Sequence, residues 1–264
     1  MLLYTLLVSS QAAYYDQIYT VGDLTDQSSQ VFTATVNDVE SFERDGLIYS
    51  TISLNVGKTY VGMKQQSQSI EVIGGTVGDL QLSVSGAPLF AENEEKLIFL
   101  EDGQLVGFGQ GSFEVREGRA IRDATQMDSN APSVEFNIEA TLPDEHLAQD
   151  CLETIVHDDY DEGWHLRTLD ASNAAESSYK AYPLSLMKGI EYEIVACADD
   201  KVQSIEIAVA DEEGHFLSDR AEEGREASLE FYPEESNVYY MTVTPTSVEE
   251  GAVRAGISIG LLYK

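Results

Sequence analysis

An excess of acidic residues, spread through segments whose apolar and polar side chains alternate, limits what this chain can fold into. The sequence has 264 residues, with 47 Asp and Glu against 15 Lys and Arg, and a formal net charge of −32. Because the acids interrupt strand-like segments instead of forming a tail, we expect a folded protein with an acidic surface. Such a surface repels nucleic acid and anionic lipid and is stabilised by salt, so we expect salty surroundings or a location outside the cell.

Short alternating segments separated by turn residues fill the first half. Gln30–Val36 and Leu47–Val56 flank a turn at Arg44–Gly46, the pattern of a β-hairpin. Glycines in Gly74–Gly78 predict a turn with backbone at positive φ. Further strands are predicted at Ser69–Ile73, Leu80–Val84, Lys96–Leu100, Leu105–Phe108 and Ser112–Val115. Many short strands are typical of a barrel or sandwich, and we predict a small β-barrel over residues 14–122.

Residues 28–120 also resemble a known module. Glycines in Asn55–Gly62 and Ile70–Gly75 are followed by Val84-Ser-Gly-Ala-Pro88 and Glu94–Leu100. This order resembles the N-terminal β-barrel module of secreted bacterial proteins, some of which carry a matrixin-like metalloprotease domain. The HExxH zinc motif of such proteases does not occur in this sequence. The resemblance therefore implies an accessory module without the enzyme.

Composition changes in the middle of the chain. Residues 123–135 are small and polar and contain Pro132, which predicts a linker. Up to Arg122 there are 16 acids and 7 bases, whereas from Asp123 onward there are 31 acids and 8 bases. We therefore predict a second and more acidic domain over residues 136–264.

This second domain reads as one helix followed by strands. Apolar residues in Pro143–Val156 have the spacing of a helix face, with Thr141 or Asp144 available as its N-cap. The predicted strands are Tyr182–Leu186, Glu191–Cys197, Ser204–Val209, Ala227–Phe231, Val238–Val243 and Gly256–Leu262. The expected fold class is mainly β, a small β-barrel followed by a β-sandwich with one short helix between them.

Three segments of the second half resemble the jelly-roll domains of the bacterial pre-peptidase C-terminal type. They are Leu186–Gly189 with Tyr192–Asp200, then Ile205–Gly214, then Phe231–Val243, and the likeness spans about residues 145–264. In this pattern a glycine precedes an extended strand, and an Asp-x-x-Gly turn precedes a strand that opens with Tyr. The resemblance implies a jelly-roll fold, and it gives the alternative function of an accessory or degenerate relative of secreted peptidases.

Two features bear on location. Residues 1–13 join a short apolar stretch to small residues, with Ser10 and Ala12 placed for signal cleavage, although no Lys or Arg precedes the stretch. We predict a signal peptide, and a first buried strand or helix is the alternative. Cys151 and Cys197 fit a disulfide in an oxidising compartment, and two buried thiols are the other interpretation. We expect a secreted, periplasmic or cell-surface protein.

Candidate metal ligands lie in predicted turns. Asp199, Asp200 and Asp211 fall between sandwich strands, where calcium is a candidate ligand, although turn-forming Asp is the commoner explanation. His157–His165 gathers three Asp, one Glu and two His around the sole Trp164, and a solvated connection between helix and strand is the simpler interpretation. Tyr239 and Tyr240 are candidates for a sugar platform, but alternation places one of them in the core.

The sequence offers little catalytic chemistry. The one GxSxG match, Gly256-Ile-Ser-Ile-Gly260, lies inside a predicted strand and not at the strand-to-helix turn of a nucleophile elbow. The cysteines and histidines lack an evident nucleophile partner, and no single carboxylate pair stands out among 47 acids. We therefore expect a non-catalytic binding or assembly protein with no required cofactor, and an active hydrolase is the least favoured alternative. Expected partners are an extracellular protein or glycan, or a second copy of the chain, with no nucleic acid and no membrane span.

Overall fold

The computed structural model describes residues 17–122 and 132–264. The predicted signal segment, residues 1–13, lies outside the described residues, as do residues 123–131 of the predicted linker. Within the described part, no helix is long and apolar enough to cross a membrane.

The described residues form two compact units. The first contains the residues up to Thr59 and those from Met63 to Asn137, and the second contains Tyr60–Gly62 and Ile138–Lys264. Val134 and Glu135, which were predicted as the end of the linker, belong to a strand of the first unit.

The first unit is built from short elements joined by turns. Its described elements are α1 (Val21–Asp26), β1 (Gln30–Arg44), β2 (Leu47–Val61), β3 (Ser67–Ile73), β4 (Gly75–Val77), β5 (Leu80–Leu82), β6 (Glu95–Glu101), β7 (Gln104–Leu105), a 3₁₀ helix (Phe108–Gly111), β8 (Ser112–Arg116), β9 (Arg119–Arg122) and β10 (Val134–Asn137).

The predicted hairpin of β1 and β2 is confirmed. Its turn is Asp45–Gly46, where both residues have positive φ (54° and 77°), the geometry that matches the twist of paired strands. Both strands run for 15 residues, longer than predicted. In β1 the half-buried Val39 and Ser41 continue the inward positions beyond Val36 between exposed acids.

An antiparallel sheet with the order β10-β9-β8-β6-β1-β2-β3 forms the frame of the first unit. β7 pairs with the end of β6 and lies close to β3, so the sheet curls toward a barrel. The concave side holds one apolar core cluster, whose buried members include Phe32, Ile52, Leu54, Ile98 and Leu100, and Leu97 and Phe99, which alternate with the last two along β6, are also buried. Burying these side chains is the main source of stability for this unit.

A small hairpin of β4 and β5 follows the main sheet. Gly74, Gly75 and Gly78 all have positive φ, as predicted, but Gly75–Val77 forms β4 and the turn itself lies at Gly78 and Asp79. The strand predicted at Leu105–Phe108 ends at Leu105, because Phe108 has a φ of 60° and begins the 3₁₀ helix. A left-handed residue cannot continue a regular strand.

The second unit consists of two helices followed by eight strands among its described residues. Its elements are α2 (Ile138–Thr141), α3 (Glu145–Asp161), β11 (His165–Ala174), β12 (Lys180–Leu186), β13 (Tyr192–Ala198), β14 (Val202–Ala210), β15 (Phe216–Glu223), β16 (Glu226–Phe231), β17 (Asn237–Val248) and β18 (Ala255–Tyr263).

These strands form a jelly roll. They make two four-stranded sheets, β11-β18-β13-β16 and β12-β17-β14-β15. The strands pair from the ends of the series inward: β11 with β18, β12 with β17, β13 with β16 and β14 with β15. Apolar side chains from both sheets fill the space between them, including Ile194, Ile207, Met241, Val243 and Ile257. The prediction of a mainly β protein with a sandwich is confirmed.

Helix α3 covers the outer face of one sheet. Asp144 is its N-cap and accepts a hydrogen bond from the N–H of Leu147 at 3.0 Å, as predicted for one of two candidate caps. The helix continues to Asp161, five residues beyond the predicted end. Leu152 packs with Trp164, Val195 and Leu262 in a second apolar cluster.

A disulfide joins this helix to the sheet. Cys151 lies on α3 and Cys197 on β13, with Cα atoms 6.0 Å apart and a sequence separation of 46 residues. Closing a loop of this length restricts the unfolded chain.

We predict that reducing this disulfide lowers the free energy of unfolding by about 4 kcal/mol, the loop-entropy value for a separation of this size. Denaturant unfolding followed by tryptophan fluorescence, with and without reductant, measures the change, because Trp164 lies in the same cluster. A Cys151→Ala/Cys197→Ala variant serves as the control and should not respond to reductant. Equal stability of the oxidised and reduced proteins would contradict the prediction.

Candidate functional site

The three Asp residues considered as calcium ligands do not come together. Asp199 and Asp200 lie in the turn before β14, and Asp211 lies in the turn after it. A strand of nine residues separates the two turns by about 30 Å at about 3.3 Å per residue. They therefore belong to different ends of the sandwich and have to be considered separately.

Asp199 is fully buried and ties three segments together. Its Oδ2 accepts hydrogen bonds from the backbone N–H of Asp144 (2.9 Å) and Gly256 (2.7 Å), and its Oδ1 accepts one from Lys201 (3.2 Å). Burial raises the pKa of Asp199, while the hydrogen bonds and the nearby ammonium of Lys201 act in the opposite direction. Through these hydrogen bonds the carboxylate connects the cap of α3, the turn before β14 and the start of β18. Asp200 beside it is exposed.

Asp211 organises the turn between β14 and β15. Its Oδ1 accepts hydrogen bonds from the backbone N–H of Glu213 (3.0 Å) and His215 (2.8 Å), and its Oδ2 lies 3.1 Å from Nδ1 of His215. The bond from His215 is the main reason that the pKa of Asp211 is lowered. Ligand atoms of Asp211, Glu213 and His215 lie within 4.8 Å of one another. Turn formation already accounts for the position of Asp211.

The acidic cluster at His157–His165 is divided between two elements. Residues 157–161 are the last turns of α3, and His165 begins β11. Between them Trp164 is buried, with the Lys264 ammonium 4.3 Å from its ring centroid. Burial, together with the charges of Glu162 and Asp158, raises the pKa of Asp159. Trp164 thus anchors the connection between helix and strand, and Asp158, Asp161 and Glu162 beside it in sequence are exposed.

Of the two tyrosines considered as a sugar platform, Tyr239 lies in the sandwich core and Tyr240 is half-buried. The hydroxyl of Tyr239 donates to the carbonyl of Glu235 at 2.8 Å. The prediction that one of the pair belongs to the core is confirmed.

A concave site lies instead in the first unit, and we call it the hairpin cleft. Its floor is formed by inward side chains of β1, β2 and β3, and its rim by the β4–β5 hairpin and the loop at residues 83–90. It has a volume of about 310 Å³. Its apolar wall includes Val39, Ile52, Val72, Val84 and Phe90.

Two serine hydroxyls in the cleft already have partners within the protein. Ser50 donates to the carbonyl of Gly74 at 2.7 Å, so the 2.8 Å contact between the two hydroxyls has Ser41 as its donor. Ser41 in turn accepts a hydrogen bond from the N–H of Thr76 at 3.3 Å. This chain of bonds holds the hairpin against the sheet. Gly75 lies so close to both hydroxyls that a Cβ atom would collide with them.

A smaller cavity of about 200 Å³ lies beside the cleft, between β3 and β7. Tyr49, Leu105 and Phe108 contribute to its wall. The Arg44 guanidinium is 4.2 Å from the ring centroid of Tyr49 and forms an ion pair with Glu71. The bulky Phe108 is 40% exposed in a left-handed backbone conformation, which is rare for an aromatic residue.

Sequence reasoning did not find the hairpin cleft. Its walls are ordinary strand residues, and only the folded sheet brings Val39, Ile52 and Val72 under one hairpin. The usable signal was Gly74-Gly75, since two adjacent glycines after a strand indicate a close approach of backbone to other groups.

Comparisons with known proteins do not assign the chain to a family. No family model and no curated protein matches it. Among solved structures, it is similar to an arabinose-bound α-L-arabinofuranosidase, with 10% identity, a TM-score of 0.19 and coverage of 38% of this chain and 23% of the other. It is also similar to an insecticidal delta-endotoxin from Bacillus thuringiensis, with 9% identity and a TM-score of 0.26. That match covers 88% of this chain and 52% of the toxin.

These two likenesses are too weak to carry an argument about function. The chain spans about a quarter of the first neighbour and about half of the second. The two module resemblances stated from the sequence stay predictions.

We predict that Asp199→Ala lowers the free energy of unfolding by about 3 kcal/mol or more, because it leaves three buried backbone N–H donors without their acceptor and removes one of the two carboxylates that pair with the buried Lys201 ammonium. Thermal and denaturant unfolding measure the change. Asp200→Ala removes the exposed neighbour and should change stability by less than about 0.5 kcal/mol. Similar effects of the two substitutions would contradict the structural role of Asp199.

Proposed function

We propose that this chain is a non-catalytic binding protein of a secreted, periplasmic or cell-surface setting, and that the hairpin cleft is its ligand site. The observation that carries the proposal is the cleft, an apolar concavity of about 310 Å³ whose serine hydroxyls are already hydrogen-bonded. Small-molecule sites are mostly apolar clefts of about 300–1,000 Å³.

The wall of the cleft favours an uncharged ligand with an apolar body. Its lining residues include no carboxylate, ammonium, guanidinium, imidazole or thiol. Binding there relies on shape and on burial of apolar surface, with Gln81 and Ser83 at the wall as polar contacts. The same lining offers no acid or base that could activate its serine and threonine hydroxyls, which supports a binding role for the cleft.

The charge of the protein supports the same class of ligand. A net charge of −32 repels anions, and the cleft has no cation in its wall to offset that repulsion. Acidic groups instead keep the protein soluble, and salt reduces their mutual repulsion. The disulfide between Cys151 and Cys197 supports the proposed oxidising location.

The proposal is tested with N-phenyl-1-naphthylamine, a neutral apolar dye whose fluorescence rises on burial. We expect saturable one-to-one binding to the wild-type protein. Val84→Phe adds a ring at a half-buried position of the cleft wall and should weaken binding at least about tenfold, equivalent to about 1.4 kcal/mol.

Leu80→Phe is the matched control. Leu80 is 58% exposed on β5 and does not line the cleft, so the same aromatic ring there should leave dye binding unchanged. Circular dichroism and the melting temperature check that both variants fold. Dye binding that does not saturate, or that Val84→Phe leaves intact, would overturn the assignment of the cleft as the ligand site.

A further inference from the structure

Strand β3 forms one edge of the large sheet in the first unit and has β2 as its only neighbour in the sheet order of the described residues. Seven residue pairs join the two strands without a shift of register, from Asn55 opposite Ser67 to Tyr49 opposite Ile73. The other side of β3 is therefore a straight edge.

The register determines which peptide groups face outward. Beyond one end of the ladder the N–H of Gly74 donates to Ile48, and beyond the other end the N–H of Val56 donates to Gln66. In an antiparallel pair the bonded residues alternate, so within β3 the even-numbered residues bond to β2. The N–H and C=O groups of Ser67, Ser69 and Glu71 consequently point away from β2. Ser67 and Ser69 are exposed, and Glu71 is half-buried.

The other edge strands of the three larger sheets carry features that hinder pairing with another chain. Such features are short length, charged residues, proline and bulges. β10 has only four residues, β11 contains a register shift, β12 contains Lys180 and Pro183, β15 contains Asp219, Arg220, Glu222 and Glu223, and β16 contains Glu226 and Glu230.

β3 carries fewer of these features. Its sequence, Ser-Gln-Ser-Ile-Glu-Val-Ile, has no lysine, no proline and no bulge. Its one charged residue, Glu71, forms an ion pair with Arg44, and two N–H groups of that guanidinium bond the carboxylate. The edge is thus regular and locally close to neutral.

Long-range charge determines which chain can approach this edge. Two copies of a protein with a net charge of −32 repel each other, so the acidic surface disfavours pairing of β3 with a second copy. The same field attracts a basic chain and raises its association rate.

We propose that β3 is a docking edge for an extended, net-basic segment of another protein, which adds to the sheet as a further strand beside Ser67–Glu71. Backbone hydrogen bonds to Ser67, Ser69 and Glu71 hold the segment, and the net negative charge of the protein attracts its basic side chains. Pairing stops at Glu71, because Glu71 and Ile73 line a cavity together with Gln104 and Leu105 of β7 at that end of β3. This site uses the edge of the sheet and not the hairpin cleft.

The test uses a short capped peptide of alternating lysine and valine, titrated into the full protein by fluorescence anisotropy at low and at physiological salt. A peptide of the same sequence with alternate backbone nitrogens methylated keeps the charge and side chains but cannot pair as a strand. We expect the unmodified peptide to bind at least about tenfold more tightly than the methylated one, with affinity falling as salt rises. A glutamate and valine peptide should not bind.

Two variants at one position locate the binding. Ser69→Pro removes the outward N–H of β3 without breaking a bond to β2, since proline is tolerated at such edge positions, and it should weaken peptide binding at least about tenfold. Ser69→Thr keeps the N–H and should bind like the wild type. Melting temperatures and dye binding by the hairpin cleft show whether each variant is folded.

Three results would overturn the proposal. Equal binding of the methylated peptide, or equal binding by Ser69→Pro in a folded protein, would reduce the interaction to charge alone. Failure of the unmodified peptide to bind would contradict the docking of a basic segment on β3. A dimer of the wild-type protein in sedimentation that Ser69→Pro dissociates would assign the edge to a second copy.

Discussion

The N–H of Gly74 donates to the carbonyl of Ile48, and this bond continues a regular ladder that joins β3 to β2. That ladder determines the direction of every group on β3. Side chains of Ile70 and Val72 point into the concave side, where Val72 forms part of the hairpin cleft. Peptide groups of the alternate residues, Ser67, Ser69 and Glu71, point to the open edge. The cleft and the edge are therefore two consequences of one register, and a shift by one residue would abolish both.

In the second unit, three kinds of interaction hold helix α3 on the outer face of the jelly roll. An apolar cluster around Leu152 and Trp164 provides the burial, and the disulfide from Cys151 to Cys197 adds a covalent tie. The buried carboxylate of Asp199 fixes the position of the helix start relative to β18, because it accepts hydrogen bonds from Asp144 and Gly256, which lie far apart in sequence. Burying one acid is tolerable because its oxygens are bonded and Lys201 lies nearby. Most other acids remain at the surface, where water and salt screen them.

Local patterns predicted much of this fold. Alternation and the Asp45-Gly46 turn predicted the β1–β2 hairpin, and helical spacing with Asp144 as cap predicted α3. Strands β11 and β15 were missed because most of their side chains are exposed, so neither shows an apolar alternation. Phe108 was assigned to a strand because its left-handed conformation depends on its surroundings in the folded unit.

Functional residues were harder to predict than strands. Acidic residues drew attention because they are numerous, yet the structure separates Asp199 from Asp211 and uses each to hold a turn. The cleft and the edge depend on which strands become neighbours and on which strand is left last in the sheet. The order of strands in a sheet depends on contacts between residues distant in sequence, so no local motif predicts it.

Residue-resolved amide hydrogen exchange of β3 in the native protein tests the register most directly. The account predicts slow exchange for the N–H groups of Gln68, Ile70 and Val72, which bond to β2, and fast exchange for those of Ser67, Ser69 and Glu71. Uniform protection of all six amides, or the reverse alternation, would contradict both the open edge and the placement of Val72 in the cleft.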